Sequence, residues 1–453
     1  MGVSRVFDIA QRSLSTYQHA LDITSHNVAN AANSNYTRQT AVLSTEKGEA
    51  SGGLVFGMGV KLDLIQRQRD SLIDTQIRAN NQKYSDNSKR SNILGQVEQL
   101  FGEPSDLGLS NTLNNFFNSW SEASVTPNSL ALRYNLIRSA ENLSNKVQDI
   151  YTGLTQVKSS LMTDAQNTVS SINSYLKEIQ SLNSQIFEIT IKGEQPNDLI
   201  DQRDTVLDSL SKLVNVNVTT DAGGSAIVSI GGVFAADKTV AKEFKLSESG
   251  GALTINSGTD GIALNLSGGE LYAITDLYSK GVPSYTDKID TMMNSLKDAV
   301  NKAHSSGYSI TDPPETGINF FDGYSEGVLK INSDLQLDPS KIALSKDGTN
   351  GNGDIATAIS DIRNAKLVNG ATISDSYGAL ISEIGSQKQS SEQMAQSNDL
   401  ILQQLDQQKS SISGVSIDEE MTNVIKFQRA YEASAKMIKI ADDMLQTILN
   451  MVQ

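Results

Sequence analysis

The stretch Ser416–Gln453, SIDEEMTNVIKFQRAYEASAKMIKIADDMLQTILNMVQ, sets the reading of the whole chain. Stepping by three and four residues picks out Val424, Phe427, Tyr431, Ser434, Ile438, Ala441, Leu445, Ile448 and Val452, and all but Ser434 are apolar or aromatic. That spacing is the narrow seam of a coiled coil rather than the broad stripe of a helix lying on a core. Ser416 with Glu419 three positions on forms a capping box, so the helix starts just after Gly414. A one-sided helix needs a partner, and the other end of the chain offers one. Val3, Phe7, Ala10, Leu14, Tyr17, Leu21, Thr24 and Val28 recur at alternating spacings of four and three, and only Thr24 is neither apolar nor aromatic. The two seams can pair with each other or with neighbouring copies, which is the pattern of a chain that assembles through its termini.

At 453 residues the chain exceeds one ordinary core, and two to four domains are expected. A net charge of −15 argues against nucleic acid and against anionic membrane surfaces as partners. There is no cysteine, which removes disulfides, thiolate catalysis and zinc–thiolate sites. No apolar run is long enough to insert in a membrane, and the N-terminus lacks the basic and apolar regions of a Sec-type signal. The composition fits a cytosolic protein, or one that leaves the cell by another route.

Taken in order, the N-terminal helix covers residues 3–30 and ends in SHNVANAANSNYTRQ, Ser25–Gln39, where Asn side chains compete for backbone hydrogen bonds and build a turn. A strand at Thr40–Ser44, a Gly-rich turn at Lys47–Gly53 and a strand at Val60–Ile65 predict a hairpin. Helices are expected at about 68–101 and Leu109–Trp120, the second carrying Phe116, Phe117 and the single tryptophan as core. From Asn128 to Thr190 a heptad runs through Leu136, Ala140, Leu143, Val147, Ile150, Leu154, Val157 and Leu161, then slips at Ala165 and Val169 and resumes at Ile172. As one helix it would span about 90 Å. Short alternating runs from Val214 to Leu266 predict a small antiparallel β domain. Helix returns at about 269–305 with a break at Gly281–Pro283, and residues 308–368 read as mixed. A last polar helix, Ile373–Ile412, carries Tyr377, Ile384, Met394, Ile401, Leu405 and Ile412 on a loose stripe.

The expected fold is therefore α+β and multidomain, with long terminal helices in a coiled-coil bundle nested around a small antiparallel β domain. Residues 1–38 with 414–453 form the inner terminal-helix domain. Residues 39–212, 269–306 and 369–413 form a helical rod domain with a hairpin, and 213–268 with roughly 307–368 an outer β-rich domain.

Chemistry is sparse. His19, His26 and His304 are the only histidines, and none has a metal-binding spacing. Asp347–Asp354 alternates Asp and Asn with Gly, but Ile355 falls where a calcium loop requires Gly and no Glu closes it. No phosphate loop or nucleophile elbow occurs. Asp198, Asp201 and Asp204 share one helical face beside Arg203, an arrangement that favours a helix dipole and ion pairs over a lytic carboxylate pair. No catalytic residue, metal or cofactor is expected.

Several stretches resemble the rod, hook and junction axial proteins of bacterial flagella. They are the Asn-rich turn with YTRQ, GMGVKLDLIQRQRD at Gly57–Asp70, LSNTLNNFFNSWSEAS at Leu109–Ser124, GEQPNDLIDQRDTVLDSLSKLVNV at Gly193–Val216, and the C-terminal SGVSIDEEMTNVIKFQRAYEASAKMI. The FFNSW and PNDLIDQRD stretches are similar to the hook-associated junction proteins in particular. One departure is Asn33-Ser34-Asn35, where axial proteins often carry Thr-Pro-Gly; Asn35 is expected to take the positive φ of the missing Gly.

The resemblance implies a non-enzymatic adaptor, exported through the flagellar type III channel and assembled as a ring layer between hook and filament, outside the cell. It implies self-association, contact with hook protein and the second junction protein, and an export chaperone on the C-terminal helix, with no nucleic acid and no membrane insertion. The assembly residues would be Phe7, Leu14, Tyr17, Leu21, Val28, Val424, Phe427, Tyr431, Ile438, Leu445 and Ile448. The family turn would comprise Asn27, Asn30, Asn33, Tyr36, Arg38 and Gln39. Other readings are a different axial component, such as hook or second junction protein, or a secreted adhesin using the β domain as its binding module.

Overall fold

A computed structural model describes residues 2–51, 53–258 and 260–452. The seam positions Phe7 through Ile448 fall inside that range, while the side chain of Val452 lies outside the described residues.

The fold is α+β. Helix α1 (Gly2–Ala29) leads into strand β1 (Gln39–Thr45), a minor hairpin β2 (Glu49–Ser51) and β3 (Leu54–Phe56), and strand β4 (Val60–Arg67). Helices α2 (Ser71–Phe101), α3 (Leu109–Val125), α4 (Leu130–Thr190) and α5 (Asn197–Leu213) follow. Strands β5 (Val216–Thr220), β6 (Ala226–Ile230), β7 (Val233–Ala236), β8 (Phe244–Ser249) and β9 (Ala252–Ser257) precede α6 (Glu270–Asp276) and α7 (Val282–His304). The chain ends with β10 (Phe321–Ser325), β11 (Val328–Ile331), α8 (Ser333–Leu337), α9 (Asp354–Asp361), α10 (Ile373–Ser413) and α11 (Ile417–Val452).

These elements gather into two compact units: Met1–Asn81, Asn173–Lys242 and Asn398–Gln453 in one, Gln82–Ile172 and Glu243–Ser397 in the other. Helices α2, α4 and α10 contribute residues to both. The strands of 213–268 make two separate sheets. The antiparallel sheet β5–β6–β7 lies in the first unit and the ribbon β8–β9 in the second.

In the first unit α1 and α11 pack along each other, and β1 pairs antiparallel with β4 from Gln39↔Arg67 to Thr45↔Val60. The Gly-rich turn expected at 47–53 carries the small β2–β3 ribbon. Gly59, at φ +90, brings the start of β4 against α1: a Cβ there would sit 3.2 Å from Ile9 Cγ2. The positive φ and the close approach together favour glycine at this position. Arg203 is buried and donates to Asn183 Oδ1 (3.2 Å) and Gly224 O (2.7 Å), while Asn183 brackets Ala226, so α5 and α4 together hold the β5–β6 turn.

In the second unit the α4 heptad is fully enclosed: Leu136, Ala140, Leu143, Val147, Ile150, Leu154, Val157 and Leu161 are all buried. Phe116, Phe117 and Trp120 of α3 meet Phe320, Phe321 and His304 in an edge-to-face cluster, with Trp120 and Phe320 ring centroids 5.0 Å apart. His304 is wholly buried, and both ring nitrogens are used. Nε2 accepts from Ala343 N (2.9 Å), leaving Nδ1–H to donate to Ile318 O (2.7 Å). Burial pulls its pKa down to about 4. Asp347 accepts from Ser345, Thr349 N and the Thr349 hydroxyl, a set of local turns.

Two expectations need correction. No break occurs at Gly281–Pro283; residues Leu277–Gly281 form a π-helical turn that joins α6 to α7 without interruption. On α10 the stripe is only half right. Tyr377, Ile384 and Leu405 are buried, but Met394, Ile401 and Ile412 are exposed, and Leu380, Ser391, Ala395 and Leu402 take the inward positions. Over a long helix the 3.6-residue turn drifts against a fixed seven-residue count, so a loose stripe rotates out of contact.

Candidate assembly surface and the clamp beneath it

The two terminal seams meet. The rings of Tyr17 and Phe427 stack with centroids 6.5 Å apart. The buried positions are small or polar apart from Ile23: Ala10, Thr16, Ala20, Thr24 and Asn27 with it on α1, and Glu420, Ser434 and Ala441 on α11. Large seam residues flank them. Leu14, Tyr17, Leu21 and Val28 of α1, and Val424, Phe427, Tyr431 and Ile438 of α11, are half-buried. Phe7, Leu445 and Ile448 stay exposed. The rest of α11 carries further open apolar residues: Met421, Ile425, Met437, Ile440 and Met444 are all more than 40 % exposed. Isolated exposed apolar residues need no explanation, but Met437, Ile440, Met444 and Ile448 follow one another at helical spacing and make an exposed apolar run, with Met421 and Ile425 as a separate pair nearer the helix start.

A polar clamp fixes the base of this helix pair. Asn27 uses its whole amide. Nδ2 donates to Gln39 O (2.7 Å) and Glu420 Oε2 (2.9 Å), and Oδ1 accepts from Gln39 N (3.0 Å) and the Tyr36 hydroxyl (2.7 Å). Arg38 reaches the first turn of α11, with Nη2 2.7 Å from Glu420 and Nη1 2.8 Å from Glu419, and its backbone N donates to Ser413 O. Glu420 is 2 % exposed and fully paired. The Glu419 backbone N–H points at Ser416 Oγ (3.4 Å), so the capping box is half made. Burial, then Asp198, Asp201 and Glu420, push the Tyr36 hydroxyl above its ordinary range, so it stays a donor.

The remaining turn residues do local work. Asn30 Nδ2 donates to His26 O, and Asn33 Oδ1 accepts from Asn35 N (3.1 Å). Asn35 does not take positive φ; among the described residues only Glu326 and Asn369 do so besides glycines. The Asn33 side chain makes the turn that a left-handed residue would otherwise make.

Gln39 continues the clamp toward α5, donating to Asp198 (3.0 Å) and accepting from Asn197 (3.1 Å). Thr37 gives Asp201 both its N–H (3.0 Å) and its hydroxyl (2.6 Å). Asp201 also receives Arg67, and Asp204 receives Arg67 (3.0 Å) and Arg69 (2.9 Å). Burial would lift the Asp204 carboxyl, but the guanidiniums of Arg69, Arg67, Arg203 and Arg78 hold it below the usual carboxylate range. The three acids that share a helical face in the sequence are thus ion-pair and hydrogen-bond anchors. Thr37, Arg67, Arg69, Asn197 and Glu420 were invisible as partners, since hundreds of residues can separate them; only the acid spacing on α5 hinted at a cationic counterpart. Among the described residues no group of three or more His, Cys, Asp or Glu is placed to hold a metal.

A family model described as the flagellar hook-associated protein FlgK helical domain matches residues 94–321, about half of the chain, and one described as the flagellar basal body rod FlgEFG protein C-terminal matches 406–451. The chain is 32% identical to flagellar hook-associated protein 1 of Bacillus subtilis, over 98% of this chain and 97% of that protein. It is 24% identical to the same-named proteins of Salmonella typhimurium and Escherichia coli, over 99% of this chain and 100% of each. The flagellar hook junction protein FlgK of Burkholderia pseudomallei shares the fold, at a TM-score of 0.64 and 15% identity, over 75% of this chain and 100% of that one. The chain belongs to the flagellar hook-associated protein 1 (FlgK) family, and its role is structural, not catalytic.

Proposed function

We propose that the chain is an adaptor layer between hook and filament, in which copies stack head-to-tail through their terminal helices. The open apolar residues of α11 carry this reading: Met421, Ile425, Met437, Ile440 and Met444 remain in water after α1 has taken its share. Covering such residues with a neighbour contributes about 1.5–3 kcal/mol per large side chain. A repeated heterologous contact of this kind builds a helical layer rather than a closed dimer.

In this reading residues 1–38 with 414–453 line the inside of the tube, the helical segments lie outside them, and the strand-bearing segments face the medium. One end meets hook protein and the other the second junction protein. Before export the C-terminal helix is the segment an export chaperone would cover, and the chain works outside the cell after passing through the flagellar channel.

The test is a strain whose only copy carries Ile440→Asp and Met444→Asp. The variant should be made and exported as the parent is, yet hooks should lack filaments and the protein should accumulate in the medium. Normal filaments on those hooks would sink the proposal.

A further inference from the structure

The second unit contains a buried cation with no counter-charge. Arg133, in the first turns of α4, is 0 % exposed and makes no ion pair among the described residues. Its Nε donates to Pro127 O (3.0 Å), and Nη1 donates to Ile342 O. Nη2 is buried and has no acceptor in the protein. Burial alone pulls its pKa down to about 10, with no carboxylate opposing that shift.

The surroundings add positive potential. Trp120 is 0 % exposed and its indole Nε1–H also lacks an acceptor. Both side chains come to the surroundings of His304: its ring lies 6.2 Å from that of Trp120, and its Nε2 takes the Ala343 N–H next to the Ile342 carbonyl that Arg133 Nη1 holds. His304 is neutral with both nitrogens committed, so it offers neither a negative charge nor a free acceptor. Helix α4 starts here with no acidic residue in its first turn, which leaves the positive end of its dipole uncompensated. A buried guanidinium without a counter-charge is destabilising even when carbonyls take some of its donors, and a buried unmet donor adds to the cost.

We propose that the folded protein holds a small monovalent anion of halide size here, with Arg133 Nη2 and Trp120 Nε1 as its donors. The ligand is an acceptor only, as a site made of donors requires, and its charge offsets the guanidinium.

Trp120 is the single tryptophan, so the site carries its own reporter. The full-length protein would be titrated with sodium chloride or sodium bromide against sodium gluconate at constant ionic strength. The melting temperature should rise with chloride and level off, and bromide should quench Trp120 fluorescence along a saturating curve. Arg133→Gln, with helix content checked by circular dichroism, should raise the bromide concentration at half effect at least tenfold. If that variant does not fold, Trp120→Phe should weaken the chloride dependence of melting by removing one donor. Equal melting in chloride and gluconate, together with no quenching or a strictly linear dependence on bromide, would mean that water satisfies these donors and would overturn the proposal.

Discussion

Helices α4 and α11 carry the same kind of heptad, yet their surroundings differ. In α4 the positions from Leu136 to Leu161 are buried within one chain. In α11 the corresponding residues are half-covered by α1, or open, and further Met and Ile residues are uncovered. An apolar period therefore says that a seam exists, not who fills it. Where the seam is closed internally it stabilises the monomer; where it is open, the proposed assembly would draw its free energy from contact between molecules.

The largest effect that would sharpen this contrast is Trp120→Ala, which empties the aromatic cluster beside α4. It should lower unfolding free energy by about 3–5 kcal/mol in a urea titration, whereas Met444→Ala should change it by less than about 0.5 kcal/mol. Comparable losses for the two would erase the distinction.

Acid should separate the units next. The unfolded chain protonates His304 near its ordinary value of 6.5, while the folded protein resists until about 4. Stability of the second unit should therefore fall as pH drops through that window, by on the order of 3 kcal/mol. Asp204, held low by its arginines, contributes stability present above the usual carboxylate range and lost as pH falls through its depressed folded value. Thermal melts across pH, read for each unit by hydrogen exchange, should show the second unit weakening first; the reverse order would contradict the burial argument.

A smaller effect concerns the clamp. Glu420→Gln keeps the shape but removes the charge facing Arg38, and should cost about 1–3 kcal/mol. The loss should appear as faster amide exchange in the first turns of α11, with α4 unchanged. The mildest prediction needs no variant: in dilute monomer, amides of 437–452 should exchange much faster than those of 136–161. Strong protection of both would mean that α11 is already satisfied alone.

Much of this was legible in the residues. The terminal helices, the β1–β4 hairpin, the unbroken α4 and the Phe116–Phe117–Trp120 core follow from period and turn chemistry, which act over a few residues. What was not legible depends on partners far along the chain. Glu420 looks like a cap charge until Arg38 and Asn27 surround it, and Arg133 looks like a surface cation at the head of a helix. The seam's spacing also does not say which of its members are enclosed: Ala10 and Ala441, with the neighbouring Ala20, are at 0 % exposure, while the large seam residues are half-covered or open. Small side chains let two backbones approach, and bulky ones then close the edges.

The π turn at Leu277–Gly281 has a consequence for what this chain can tolerate. A π turn takes up one residue more than an α turn, so the extra residue is absorbed locally and the helix beyond it is spared the ~100° rotation that one more α-helical residue would bring. Leu271 and Ile274 before the turn, and Tyr285, Ile289, Met292, Leu296 and Val300 after it, are all buried. Removing a single residue from the turn should therefore leave a plain helix with those side chains still facing inward. A length change that would scramble a regular helix can be swallowed at this one point.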